Sequence, residues 1–352
     1  MGTKRHSLRE SRKLDHINLA LHLPEGPMSN GFEDIHLVHQ ALPELNYGEI
    51  DLRCCWLNKK LEAPLLINAI TGGAEDTTAI NASLARVARR FGLGMAVGSQ
   101  TAALKNFQME KTYRVARQEN PEGLLLANIS ATARWSDALR AVEMIEADGL
   151  QLHLNVLQEL LMPEGDRCFK GVLDNIGEIV SRSPVPVIVK EVGFGFSKEA
   201  ALKLYEQGVQ NLDVGGKGGT NFAAIENSRT KLNARDTFVE WGLSTASSLL
   251  EVSSLNLPVQ LIASGGIRTG VEVVKALRLG ATLAGIAGSF LKTLLTKSES
   301  DLASLVETLI SEIKITMLLT GAGNLQVLHA VPVVITGATL EWAKQRKINI
   351  IY

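Results

Sequence analysis

Cysteine is scarce in this sequence. Only Cys54, Cys55 and Cys168 occur among 352 residues, and two of them are adjacent. That count and spacing exclude a disulfide framework and a zinc site, and a reducing, cytoplasmic compartment is the expectation. An excess of either charge is also missing: 36 basic residues stand against 37 acidic ones, for a net charge of −1. Neither nucleic acid nor an anionic membrane surface is therefore an expected partner. No apolar run is long enough to span a bilayer. The best stretch, Ala281 to Leu291, falls well short of the roughly 20 residues required. Met1 to His16 is charged and lacks the apolar centre of a secretory signal. Low-complexity tracts are absent as well.

What is present is an ordinary globular composition, 45% apolar and 21% charged. Eight short apolar runs read as strands: Pro64–Thr71, Leu93–Gln100, Leu124–Ser130, Leu150–Asn155, Val185–Gly193, Gln210–Gly215, Val259–Gly266 and Thr282–Gly288. Most are rich in Val, Ile, Leu and Ala without strict alternation, as strands covered on both faces are. Stretches of helical period separate most of them. In Asn81 to Phe91, for example, Leu84, Val87, Ala88 and Phe91 share one face. Eight strand–helix units in series predict an α/β fold, a single TIM (β/α)8 barrel over residues 64–352. Residues 1–63 form an N-terminal extension expected to contribute to the substrate site, with a partly mobile charged start. Residues 217–242 form a polar insertion after strand six, of a length that is usually functional or disordered.

In such barrels the active site lies at the C-terminal ends of the strands. Here those ends are polar and glycine-rich: Asn68-Ala69-Ile70-Thr71-Gly72-Gly73, Gly98-Ser99-Gln100, Asn128, His153-Leu154-Asn155, Lys190-Glu191 and Gly215-Gly216. Any one of these residues reads singly as a strand cap, but eight ends converging on one face make that reading fail for the set. Ser264-Gly265-Gly266-Ile267-Arg268 follows strand seven, and Ala287-Gly288-Ser289 follows strand eight and opens a helix. Glycines admit backbone N–H groups to an oxyanion, and a helix N-terminus adds unpaired donors and a favourable dipole. The loops after strands seven and eight are the usual phosphate site of this fold.

Lys190 interrupts an apolar strand and needs a partner. The N1/C2=O edge of a flavin and a Schiff-base role are both open. Glu191 is excluded as its ion-pair partner because alternation sends neighbouring side chains to opposite faces. His153 and Asn155 share a face. Gln158, Glu159 and Met162-Pro163-Glu164-Gly165-Asp166 follow them. Glu159 reads either as a magnesium ligand or as an exposed helix carboxylate.

These residues, together with Arg12-Lys13 and His16, Ala96-Val97-Gly98-Ser99-Gln100, Val189-Lys190-Glu191-Val192-Gly193-Phe194-Gly195, Gly218-Gly219-Thr220-Asn221-Phe222 and Glu226-Asn227, carry a resemblance. From about Arg12 to the C-terminus the sequence resembles the type 2 isopentenyl diphosphate isomerases. The resemblance implies FMN, Mg2+ and reduction by NADPH. The flavin would be held by Ala69, Ile70, Thr71, Ser99, Asn128, Lys190, Gly215, Thr220, Gly265, Gly266, Ile267, Ala287 and Gly288. A diphosphate substrate would meet Arg12, Lys13, Ser99, Gln100, His153, Asn155 and Gln158, with Glu159 on the metal. Gln158, His153 and Lys190 would serve catalysis, Gln158 by relay to Glu159. A homotetramer or larger assembly is implied too. One departure is visible: relatives often have Ser before Gly-Lys-Gly-Gly-Thr, where this chain has Gly215, so a hydroxyl contact to FMN is lost there.

The implied reaction is a 1,3-allylic proton shift between isopentenyl and dimethylallyl diphosphate. It is redox-neutral and calls for a strong acid beside a well-shielded cation. One alternative is an FMN-dependent oxidoreductase of the 2-hydroxy-acid-oxidase type, which shares the Gly-Gly-x-Arg loop after strand seven. Such chemistry needs a late histidine base, and beyond His153 only His329 remains. A flavin- or phosphate-binding regulator without catalysis is the second alternative, disfavoured by the polar groups facing the expected ring.

Overall fold

The computed structural model describes Leu19, residues 29–230 and residues 233–349. Arg12, Lys13 and His16 lie outside the described residues, as does the charged start expected to be mobile. Within them, all eight predicted strands form: β1 (Leu65–Ile67), β2 (Gly94–Ala96), β3 (Leu125–Ser130), β4 (Gly149–Leu154), β5 (Val187–Glu191), β6 (Asn211–Asp213), β7 (Gln260–Ser264) and β8 (Leu283–Ile286). Each pairs in parallel with the next, and β8 returns to β1, closing the barrel. The predicted helix over Asn81–Phe91 begins four residues earlier and runs Thr77–Phe91, burying Leu84, Val87 and Ala88.

The ladders are shorter than the apolar runs suggested, because the last residues of each run leave the sheet to line the barrel mouth. The residues that point inward form layers contributed by alternate strands. At the bottom, β1, β3, β5 and β7 supply Leu66, Leu126, Ile188 and Ile262, all fully buried. Two residues further along the same strands stand Asn68, Asn128, Lys190 and Ser264. The barrel core therefore turns from apolar to polar within one pleat repeat, and the polar layer faces the mouth.

A hairpin, Cys54–Trp56 paired with Lys59–Leu61, packs Trp56 and Leu61 against the bottom layer. It turns on Leu57 and Asn58, both at positive φ, the geometry of a tight two-residue hairpin. A second ribbon pairs Ile35–Leu37 with Val333–Ile335. Phe32, Ile35, Ile50 and Leu52 share one buried core with the barrel, so the described part of the extension is integral to it. The insertion is not simply loop: it carries a helix over Phe222–Thr230.

Candidate active site

The mouth of the barrel opens into a cavity of about 680 Å³, well within the range of small-molecule sites. Its walls include Ala69, Ile70, Thr71, Ser99, Asn128, His153, Asn155, Gln158, Glu159, Lys190, Gly215 and Thr220, together with Gly265, Gly266, Ile267, Ala287 and Gly288. The expected residues that are described thus come together on one surface, with one exception. Gln100 is turned away. It is fully buried, its amide donating to the Ala141 carbonyl at 2.9 Å and its Oε1 accepting from the Asn128 N–H. The correction has a local cause: Gln100 stands beyond the strand end, at the start of the helix Thr101–Lys105, and its amide is spent on the buried Ala141 carbonyl and Asn128 N–H.

Lys190 is buried, and its partner is Asp213, 2.9 Å away in an ion pair that is itself enclosed. The two are register partners on β5 and β6. Ser264 Oγ donates to Asp213 at 2.5 Å and accepts from Lys190 Nζ at 3.1 Å. Glu191 points away as alternation requires, accepting from the N–H groups of Phe194 and Gly195. Burial pushes its carboxyl up to about 8. Asp213 escaped the sequence reading, although it was visible as a lone carboxylate in an apolar strand beside the strand that holds Lys190.

The phosphate end is built from backbone. The helix Gly288–Thr296 starts in the cavity wall, and no side chain caps it, so its first N–H groups suit an oxyanion. Gly265, at φ +113°, lies so close to the Gly216 carbonyl that a Cβ would fall 2.0 Å from it. The glycine loops after β6 and β7 thus interlock. Asn30 fastens them, donating to the Gly266 carbonyl at 2.7 Å and to Glu272 at 2.6 Å. At Gly215 the backbone has φ +48°, and a Cβ would lie 1.8 Å from the Glu191 carbonyl oxygen. Glycine at this point is a steric requirement of the local turn, which accounts for the absent hydroxyl. A phosphate-bearing planar cofactor such as FMN fits this donor set: backbone amides for the phosphate, hydroxyls and amides (Thr71, Ser99, Asn128) along the ring, and a cation at one edge.

Above the cavity the short helix Val156–Leu161 places Gln158 and Glu159. Asn155 donates to both, at 3.2 Å to Gln158 Oε1 and at 3.0 Å to Glu159 Oε1. The Asp166 N–H holds the second Glu159 oxygen at 2.8 Å. Gln158 Nε2 donates to Glu226, at 3.4 Å, so the carboxylate beside Gln158 comes from the insertion helix, where a relay to Glu159 had been expected. Glu226 is fully buried and paired with Arg229, which also reaches Glu164 at 3.2 Å. Among the described residues no cluster of three His, Cys, Asp or Glu side chains could hold a metal alone. A single oriented carboxylate fits a magnesium ion that takes its other ligands from water and a diphosphate.

The sequence is 52% identical over 347 residues to the isopentenyl-diphosphate delta-isomerase of Moorella thermoacetica, covering 99% of each chain. It is 47% identical to that of Symbiobacterium thermophilum, covering 97% of each. The chain belongs to the isopentenyl-diphosphate delta-isomerase family. Membership of this isomerase family bears out the enzyme class expected from the motifs. Residues 169–333 of this isomerase-family chain also match the family described as FMN-dependent dehydrogenase. Among solved structures, a mandelate oxidase variant with a monooxide FMN adduct aligns with a TM-score of 0.65 at 13% identity, over 90% of this chain and 95% of that one. Mandelate oxidase with (S)-4-hydroxymandelic acid aligns with a TM-score of 0.63 at 15% identity, over 93% and 97%. At that identity the likeness shows the shared barrel alone.

Proposed function

We propose that this chain interconverts isopentenyl diphosphate and dimethylallyl diphosphate, using FMN, Mg2+ and reduction by NADPH. The observation that carries the proposal is 52% and 47% identity to two relatives of that name over nearly the full length, joined to a barrel mouth that gathers every described residue expected at the site but Gln100. When bound and reduced, FMN supplies a proton at N5 and an electron-rich ring for a developing positive charge. The chain supplies position and charge around it. The Gly265–Ile267 loop and the Ala287–Gly288 helix start would receive the phosphate, and Lys190 would supply the cation for the N1/C2=O edge. Gln158 takes the proton at C2, and its amide, a poor base alone, gains strength from the Glu226 carboxylate at 3.4 Å. Glu159, held by Asn155 and the Asp166 N–H, would carry Mg2+ to the diphosphate, and the family resemblance assigns Arg12 and Lys13, outside the described residues, to the same group.

The family resemblance adds a cytoplasmic homo-oligomer of four or more subunits, which sedimentation analysis would weigh. No described helix is long and apolar enough to cross a membrane. Hydroxy-acid oxidation is disfavoured because its base is expected late in the barrel, whereas the histidine found in the cavity wall among the described residues, His153, stands on the fourth strand. His329, the only later histidine, lies outside that wall. The test is direct. Purified protein should release FMN on heating, and its reduced form should equilibrate the two C5 diphosphates. Release of FAD, or oxidation of 2-hydroxy acids in place of isomerisation, would refute the proposal.

A further inference from the structure

The polar layers of the barrel form one continuous hydrogen-bond chain, and the chain has a direction. Asn68 Nδ2 donates to Asp213 Oδ2 at 2.7 Å. Its Oδ1 accepts from Gln151 Nε2 at 3.0 Å, and Gln151 Oε1 accepts from Asn128 Nδ2 at 2.9 Å. Asn128 Oδ1 is then left to meet His153 Nδ1, at 2.9 Å. An amide oxygen only accepts, so the Nδ1 of His153 carries the proton, and Nε2 of the neutral ring is an acceptor. Asn68, Gln151, Asn128 and Asp213 are all at least 97% buried. No bulk water competes for these bonds, and the low dielectric lets successive amide dipoles reinforce one another. The direction is set at the Asp213 end, where the Ala69 N–H also donates to Asn68 Oδ1, at 2.8 Å. A carboxylate cannot donate, so every amide along the chain must turn its N–H toward Asp213. The same carboxylate is the counter-ion of Lys190.

We propose that Asp213 is a positioning residue governing both ends of the cavity: it compensates the charge of Lys190 at the cofactor edge, and through three amides it fixes the tautomer of His153. Its effect on the cofactor edge rests on the reading that Lys190 meets bound FMN; its effect on His153 does not. With Asp213 ionised, Lys190 already has a buried counter-ion, and its pull on negative charge in a reduced ring is tempered. Without it, the reduced ring is the counter-ion that remains, and reduction becomes easier. At the other end, an amide in place of Asp213 can donate as well as accept. The chain then keeps only the Ala69 N–H as a directional anchor, and His153 shifts part of its proton to Nε2.

The test uses the full chain and four variants. Asp213→Asn should raise the midpoint potential of bound FMN, measured anaerobically by dye equilibration, by about 30 mV or more, a tenfold change for a two-electron couple. In the FMN-free protein, the 15N ring shifts of His153, assigned through His153→Gln, should move from a single Nδ1–H tautomer to a mixture. Gln151→Met cuts the chain midway, so it should give the same histidine change with the wild-type potential. Ser264→Ala, which weakens the Lys190–Asp213 contact and spares the chain, should raise the potential in the same direction but less. It keeps the charge arm testable if Asp213→Asn does not fold. A wild-type potential in Asp213→Asn and Ser264→Ala would overturn the charge role, and unchanged His153 shifts in Asp213→Asn and Gln151→Met would overturn the tautomer role. Failure of the wild-type protein to bind FMN would instead sink the proposed function, leaving the histidine arm standing.

Discussion

At the scale of single residues, burial and alternation decide most of the site. Glu191 illustrates the energetic side. Its carboxyl is lifted from 4.5 to about 8 by burial, so the folded protein keeps a proton that the unfolded chain releases near pH 4.5. The contribution of Glu191 to stability therefore falls as pH rises from about 4.5 to about 8, and levels off above. Glu191→Gln keeps an oxygen for the Phe194 and Gly195 N–H groups and removes that loss. It should be more stable than wild type at pH 8, by on the order of a few kcal/mol, and equal to it near pH 4; denaturant unfolding across that range is the check. Glu159 offers a chemical counterpart. Glu159→Gln keeps one acceptor oxygen, for either Asn155 or the Asp166 N–H, and removes the charge, so binding of FMN should be untouched while the magnesium requirement for activity rises about tenfold or more. A wild-type magnesium titration would reduce Glu159 to an oriented surface carboxylate.

The same scale shows what a sequence conceals. Residues at strand ends were legible because polar groups stand out after an apolar run. Asp213 was not, because its partner sits on the neighbouring strand and only register brings Lys190 opposite it. Gln100 misled because its motif runs past the strand end to the start of a helix. Glu226 was quoted as part of a motif, but its contact with Gln158 spans 68 residues and no local pattern announces it.

At the scale of elements, the eight strands were legible because a barrel strand is covered on both faces and reads as an uninterrupted apolar run. Their ends were overrun by residues that leave the ladder to line the mouth. The bottom hairpin was missed because two three-residue strands, Cys54–Trp56 and Lys59–Leu61, give no periodicity to read. The glycine loops after β6 and β7 depend on a residue far away in sequence. Asn30 uses its amide on Gly266 and Glu272 and its Oδ1 on the Phe32 N–H. Asn30→Ala should take the partner from Glu272 Oε1 and from the Phe32 N–H, at about 1–3 kcal/mol, and loosen the phosphate loop even though Arg268 still donates to the Gly266 carbonyl. FMN should bind about tenfold more weakly, as read by fluorescence titration of the released flavin. The part of the extension beyond the described residues is expected to act on substrate instead. Removing residues 1–13 should raise KM for the diphosphate strongly and leave FMN bound, and unchanged kinetics would refute the clamp assigned to Arg12 and Lys13.

At the scale of the whole molecule, one barrel closed at the bottom by an apolar layer and a hairpin leaves its polar layer facing a single cavity. That asymmetry follows from four strand positions shifting from Leu66, Leu126, Ile188 and Ile262 to Asn68, Asn128, Lys190 and Ser264. The central claim is that this cavity shields a proton shift in which reduction is needed and not consumed. The measurement that tests it most directly counts NADPH oxidised against C5 diphosphate isomerised, in anaerobic enzyme with FMN bound. The account predicts many product molecules per NADPH, almost none with oxidised flavin, and deuterium in the new methyl group when the solvent is D2O. One NADPH consumed per product, or equal rates from oxidised and reduced enzyme, would contradict it.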